Sequence, residues 1–303
     1  MISRKAAFLV VGGDSLVGDA TVCALKKRGY KVYASTRRRD TVGDDRVYID
    51  FEDASSHRVP DDVGFVFIIA AATDYGRCET DPMAQKINED LIPALVRCLL
   101  SQDVFVSFIS TNSVFGGDIP WPGEGAPHAP TIAYARQKSE GERRILAVAD
   151  AADARDRINI TRLTKIMSVE TTPFPGWVDS WEKGGIIEPF EDFLFAPMSV
   201  DFVGAALATL GEARVSGNTH LSGADNVSYV AFAQALAHEL GVSQDKISPT
   251  TSEEKGVNIL YKPRFSGIGM ARTTALTGLE PQPLDSVVAD LARTWARSNK
   301  ESI

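Results

Sequence analysis

Tyr134-Ala-Arg-Gln-Lys138 sets a phenol and an ammonium four residues apart. On a helix that spacing puts both groups on one face. A cation beside a phenol favours the phenolate, so the pair predicts a tyrosine drawn down from about 10 toward the range of a working proton donor. A second candidate is the turn Gly12-Gly13-Asp14-Ser15-Leu16-Val17-Gly18, where small residues recur three apart. Glycine lets the backbone approach a pyrophosphate, whose charge suits a helix N-terminus. A third is Arg37-Arg38-Arg39, whose forked guanidinium groups can grip a phosphate. None of the three is diagnostic alone. An exposed helix face, a plain turn and a solvated basic loop are the alternatives.

The elements that must position these groups alternate between strand and helix. Ala6 to Val11 reads as a buried strand that stops at the glycine turn. An amphipathic helix follows to Arg28, closing on Lys26, Lys27 and Arg28 before Gly29. Lys31 to Ser35 reads as a second strand. Strand, glycine turn, helix and strand make a dinucleotide-binding unit, with Gly12, Ser15, Leu16, Val17 and Gly18 cradling phosphate. NAD-binding folds place an acid at the end of the second strand, but here Ser35-Thr36-Arg37-Arg38-Arg39 comes first. Thr36, Arg37 and Arg38 therefore favour NADP(H), with NAD(H) left open.

Arg46 to Ile49 reads as a third strand running into Asp50-Phe51, and Phe65 to Ala70 as a fourth running into Ala70-Ala71-Ala72-Thr73. Small residues there leave room for a flat ligand. Ile87 to Ser101 carries a helical pattern with Asn88 near its start. Val104 to Ile109 reads as a fifth strand, and its end, Ser110-Thr111-Asn112-Ser113, aims hydroxyls at the same crevice. A Gly- and Pro-rich loop then leads to the Tyr134 helix, expected to run to about Ala152, and Ile158 to Leu163 reads as a sixth strand. The expected fold class is α/β, a doubly wound parallel (Rossmann) sheet with a smaller C-terminal substrate-binding lobe. The expected division is 1–165 for the cofactor domain and 166–303 for the lobe, with 197–223 returning to the core. Helices are expected over Val200–Leu210, Ser228–Leu240 and Asp285–Arg297. The aromatics Phe174, Trp177, Trp181, Phe190, Phe193 and Phe195 read as lobe core or as stacking surface.

Composition excludes other classes. The 303 residues carry a net charge of −8, which opposes a nucleic-acid partner. Cys23, Cys78 and Cys98 have no CxxC spacing, which fits a cytoplasmic protein without a disulfide framework. Met1 to Val11 imitates a leader, but its apolar run breaks too early at Gly12-Gly13. No apolar run suggests a membrane span. His57, His128, His220 and His238 lack metal-ligand spacing, so no metal is expected, and the G-x-S-x-G elbow of hydrolases is absent.

Together the motifs resemble the extended short-chain dehydrogenases/reductases, the nucleotide-sugar group that includes UDP-glucose 4-epimerase. Within it the chain most resembles dTDP-4-dehydrorhamnose reductase and similar reductases. The residues that carry this are the 11–18 turn, Asp50-Phe51, 70–73, Ser110-Thr111-Asn112-Ser113-Val114-Phe115, Tyr134 with Lys138, Arg162-Leu163-Thr164-Lys165, 197–201 and 217–223. The resemblance implies that Tyr134 is the general acid/base, that Lys138 lowers its pKa and holds the nicotinamide ribose, and that Thr111 hydrogen-bonds the reacting oxygen. It implies that Asn88 orders a water, that Asp50 and Phe51 lie at the adenine end, and that Ala70, Ala71 and Ala72 line the cofactor site. Thr73, Asn112, Ser113, Thr164 and Arg264 would contact a nucleotide-sugar, and the chain would form a homodimer. Asn112-Ser113 departs from the acid and base that 4,6-dehydratases carry after the Thr, which disfavours dehydration. A keto-sugar reductase is the leading expectation. An NAD-dependent 4-epimerase and a non-catalytic regulatory subunit, like that of methionine adenosyltransferase, are its rivals.

Overall fold

The computed structural model describes residues 7–301. Met1 to Ala6, weighed above as part of a leader and of the first strand, lies outside them. The chain runs β1 (Ala7–Val11), α1 (Leu16–Lys27), β2 (Val32–Thr36), β3 (Arg46–Tyr48), β4 (Val63–Ile68), α2 (Tyr75–Thr80), α3 (Pro82–Lys86), a π turn (Ile87–Leu91), α4 (Ile92–Ser101), β5 (Phe105–Thr111), α5 (Ala133–Ala151) and β6 (Ile158–Leu163). It continues through β7 (Lys165–Met167), α6 (Phe174–Glu182), β8 (Leu194–Phe195), β9 (Pro197–Ser199), α7 (Val200–Glu212), β10 (Gly217–Leu221), β11 (Val227–Ser228), α8 (Tyr229–Glu239), α9 (Ala271–Thr277) and α10 (Leu284–Glu301).

Seven strands form one parallel sheet in the order β10-β6-β5-β4-β1-β2-β3. This is the doubly wound architecture that the alternating pattern predicts. The order reverses between β1 and β4, and open α/β sheets bind ligands at that switch point. Side chains alternate across β1. Leu9 and Val11 join Leu95, Leu99 and Ile145 of α4 and α5 on one face. Phe8 and Val10 join Val22, Leu25, Val203 and Leu207 of α1 and α7 on the other. A separate core in the C-terminal region gathers Phe174, Trp181, Phe232, Leu236, Val288 and Leu291 from α6, α8 and α10.

Helix starts follow the local chemistry of the sequence. Ser15, Ser199 and Ser228 each accept a hydrogen bond from the backbone amide three residues on, capping α1, α7 and α8, a contribution of about 1 kcal/mol apiece. Some boundaries differ from expectation, two of them for a visible reason. β4 stops at Ile68, because Ile69 N and Ala70 N both donate to Val11 O and draw the chain out of the ladder. The helical path to Ser101 begins at Pro82, where Asp81 caps it, and passes through the π turn before α4. Among the described residues no helix is long and apolar enough to cross a membrane.

Candidate active site

A cavity of about 670 Å³ opens at the C-terminal ends of β1, β2 and β4. Gly12, Ser15, Thr36, Arg37, Arg38, Asp50, Phe51, Ala70, Ala71 and Ala72 all line it. Gly12 has φ 94°, and a Cβ on it would stand 2.7 Å from Ala70 N. A Cβ on Gly18 would stand 2.0 Å from Gly12 O. Only glycine fits either place, and the result is a bare backbone floor against which a pyrophosphate can lie. Ser15 is more committed than expected. Its hydroxyl donates to Gly12 O at 2.7 Å and accepts from Gly18 N at 3.1 Å, so its proton is not free for phosphate. Leu16, Val17 and Gly18 stand outside the lining. Leu16 and Val17 contribute first-turn amides, which have no intrahelical carbonyl to meet.

The three arginines divide. Arg38 reaches Asp14 at 3.3 Å. Arg39 lies over the Tyr48 ring at 3.9 Å and pairs with Asp53 at 3.7 Å. Arg37 lines the cavity and has no hydrogen-bond or ion-pair partner among the described residues. Asp14, not singled out in the sequence, is the local anchor. It pairs with Arg46 and accepts the Thr36 hydroxyl at 2.7 Å. Burial pulls its pKa up, but hydrogen bonds from Thr36, Arg38 and Arg46 hold it below the usual carboxylate value. Ser35, Ile49, Glu52, Arg77 and Ile87 also line the cavity. Of these, only Ser35 sat inside a motif that the sequence flagged.

Tyr134 stands in the first turn of α5, 9% exposed. It lines the second cavity together with Thr111, and the Tyr75 ring lies 5.2 Å from its own. Burial pushes its pKa above the ordinary tyrosine value, Tyr75 adds to this, and Thr111 opposes it. The expected lowering by Lys138 is not found. The Lys138 ammonium is 2% exposed, donates to Ile109 O at 2.7 Å and sits 3.9 Å over the Phe108 ring. A buried ammonium must find acceptors, and Ile109 O and the Phe108 ring of β5 supply them. Lys138 accordingly lines neither cavity. Burial pushes its pKa down to about 7, with Glu142 opposing.

Asn88 also differs from expectation. It accepts from Ala72 N at 3.0 Å, and it donates to Ala72 O and to Gln137 Oε1, each at 2.9 Å. Both amide protons are engaged, so none is left for a water. Its position in the π turn makes it a clamp on the chain beyond β4.

A second cavity of about 690 Å³ begins where the first ends, at Thr73, and includes Thr111, Asn112, Tyr134 and Thr164. Tyr75, Phe193, Phe195, Tyr229 and Tyr261 give it aromatic walls. Of these, only Phe193 and Phe195 were flagged in the sequence as possible stacking surface. Three predicted contacts have other duties. Asn112 lines the cavity, but its Nδ2 donates to Ser266 O at 2.7 Å. Ser113 is fully buried against the Thr111 hydroxyl, 3.1 Å away, and lines neither cavity. Arg264 lies outside the lining, 5.2 Å over the Phe265 ring.

A buried polar network supports the site from below. Glu142, one turn beyond Lys138, pairs with Arg162 at 2.8 Å and accepts from Ser110. Arg162 also faces His220 Nε2 at 3.2 Å and donates to Glu124 O at 3.1 Å. Burial, reinforced by Arg162, pushes His220 down to about 4. It is therefore neutral at pH 7, accepting from Arg162 and donating from Nδ1 to Gly269 O at 2.8 Å. The network ties β5, β6, β10 and α5 together beneath the reacting groups.

Comparison with known proteins fits this geometry. The chain matches the RmlD substrate binding domain family over residues 6–296. It belongs to that family. The fold is shared with dTDP-4-dehydrorhamnose reductase of Bacillus anthracis str. Ames, solved in complex with NADP, at TM-score 0.78 and 17% identity, covering 95% of this chain and 99% of that one. The same enzyme from Yersinia enterocolitica gives TM-score 0.78 at 19% identity, with 95% and 99% covered. A dTDP-glucose 4,6-dehydratase of Streptomyces venezuelae, solved with NAD bound, also gives 0.78 at 19%, with 97% and 98% covered. No curated protein sequence matches. The RmlD-family chain thus shares its fold with solved proteins that bind NADP or NAD.

Proposed function

We propose that this RmlD-family chain reduces a keto group on a nucleotide-activated sugar with NADPH, and that Tyr134 donates the proton. The observation that carries the reading is that Tyr134 and Thr111 both line the second cavity, close to where the first one ends. A substrate oxygen held by both hydroxyls would be polarised by Thr111 and protonated by Tyr134. Burial keeps Tyr134 protonated through neutral pH, the state a reductase needs.

The first cavity fits a dinucleotide. Gly12 and Gly18 admit no side chain at the turn beside it, and Arg37 offers an unpaired cation for a 2′-phosphate. Bound there, the nicotinamide would supply the hydride. The complex with NADP of the B. anthracis relative supports that choice over NAD. Lys138 supplies positive charge behind the site when protonated, which its value of about 7 favours on the acid side of neutrality.

The test is Tyr134→Phe, assayed by NADPH oxidation across a set of 4-keto nucleotide-sugars. Turnover should fall by about 10²–10⁴-fold, the usual weight of a positioned acid, while NADPH affinity is retained. Unchanged turnover on a substrate the native protein accepts would remove Tyr134 from the mechanism.

A further inference from the structure

A nucleotide-sugar carries a diphosphate, and an anionic group entering a cleft needs a complementary cation. Asp74 and Lys165 are the charged side chains that line the second cavity. Asp74 is already engaged, capping α2 by accepting from Arg77 N at 2.7 Å. Lys165 makes no hydrogen bond, ion pair or ring contact among the described residues. Two nearby cations are committed elsewhere. Lys262 pairs with Asp192 and reaches Ser252 Oγ at 3.0 Å. Arg264 lies over Phe265, outside the cavity.

The backbone under Lys165 is fixed. Thr164 N donates to Leu221 O at 3.2 Å, the Thr164 hydroxyl accepts from Gly223 N at 3.2 Å, and Lys165 itself pairs with Pro197 between β7 and β9. A loose ammonium therefore hangs from a rigid base on a cavity wall. Desolvation holds its pKa below the ordinary lysine value, with no carboxylate drawing it back up. The surrounding walls, Phe193, Phe195 and Tyr229, offer flat faces to a sugar or base but no charge.

We infer that Lys165 is the residue that receives the anionic diphosphate of the substrate, a contact for which the sequence offers Lys262 and Arg264. The assignment rests on the proposed nucleotide-sugar reading. It makes Lys165 a specificity residue: substrates bearing phosphate are held by it, and the uncharged part of the ligand is held by the aromatic walls.

Calorimetric titration of the full chain with UDP and dTDP, and with uridine and thymidine as uncharged controls, tests it. The proteins are the native chain, Lys165→Met, Lys165→Arg and Arg264→Ala. Lys165→Met should weaken the diphosphates about tenfold or more and leave the nucleosides unchanged. Lys165→Arg should restore most of the affinity, Arg264→Ala should bind as the native chain does, and NADPH affinity should hold in all four. If the native chain binds a diphosphate and Lys165→Met binds it equally well, the assignment falls while the nucleotide-sugar reading stands. If Arg264→Ala alone loses binding, the assignment falls in favour of Arg264. If the native chain binds neither diphosphate, the assignment and the nucleotide-sugar reading fall together.

Discussion

Lys138→Met separates the price of a buried charge from its use. In the fold Lys138 has a pKa of about 7 against an ordinary 10.5. Each unit corresponds to about 1.4 kcal/mol, so charging this lysine in the folded state costs up to about 5 kcal/mol. The sign follows from proton counting. Between pH 7 and 10.5 the unfolded chain holds a proton that the folded chain lacks, so native stability rises with pH through that window. Below pH 7 both states are protonated and the full penalty is present. Methionine carries no such penalty at any pH, and the loss of the bond to Ile109 O is the same at every pH. The stability of Lys138→Met relative to the native chain should therefore be greater at pH 7 than at pH 10, by roughly 3 kcal/mol. Denaturant unfolding of both proteins at the two pH values measures it, and groups that titrate in both cancel. A difference that is flat with pH, or larger at pH 10, would refute the reasoning.

Two further changes address the cofactor side. Arg37→Ala should raise the KM for NADPH about tenfold or more and leave NADH nearly unaffected, because a hydrogen-bonded charge contributes about 1.5–3 kcal/mol. Equal effects on both cofactors would remove Arg37 from the 2′-phosphate. Asn88→Ala leaves both polar groups of Ala72 and the Gln137 carbonyl without their partner. At about 1–3 kcal/mol for each buried orphan, it should lower the urea midpoint clearly. A fall in kcat with stability intact would instead make Asn88 a direct participant.

The parts of the fold that were legible in the sequence are those set by neighbouring residues. Apolar runs gave away β1, β4 and β5. The serines at 199 and 228 and the glycines at 29 and 241 marked helix ends through their own backbone chemistry. β10 escaped the same rule because Gly217-Asn-Thr-His-Leu221 is polar. It is buried all the same, since Asn159 donates to Thr219 at 3.0 Å and Thr161 and Thr219 hydrogen-bond at 2.9 Å, satisfying one another inside the sheet. In the site, Tyr134 and Thr111 could be proposed from motifs. The direction of the Lys138 ammonium could not, because Ile109 and Phe108 that attract it belong to another element. The cavity walls are equally non-local: Tyr75, Tyr229 and Tyr261 come from three separate segments. The choice between Lys165 and Arg264 depends on which cation lines the cavity in space, and spacing along the chain carries no record of that.

Strand β10, the last to join the main sheet, has a consequence for biosynthesis. When β6 leaves the ribosome its outer edge has no neighbour, and Phe65 and Phe67 lack the cover that Val203 and Leu207 later supply. The half of the chain that forms the cofactor cleft therefore emerges first but is finished only after α7 and β10 have been translated. Until then the nascent protein presents an open strand edge and an oily face, the two features that invite aggregation and chaperone capture.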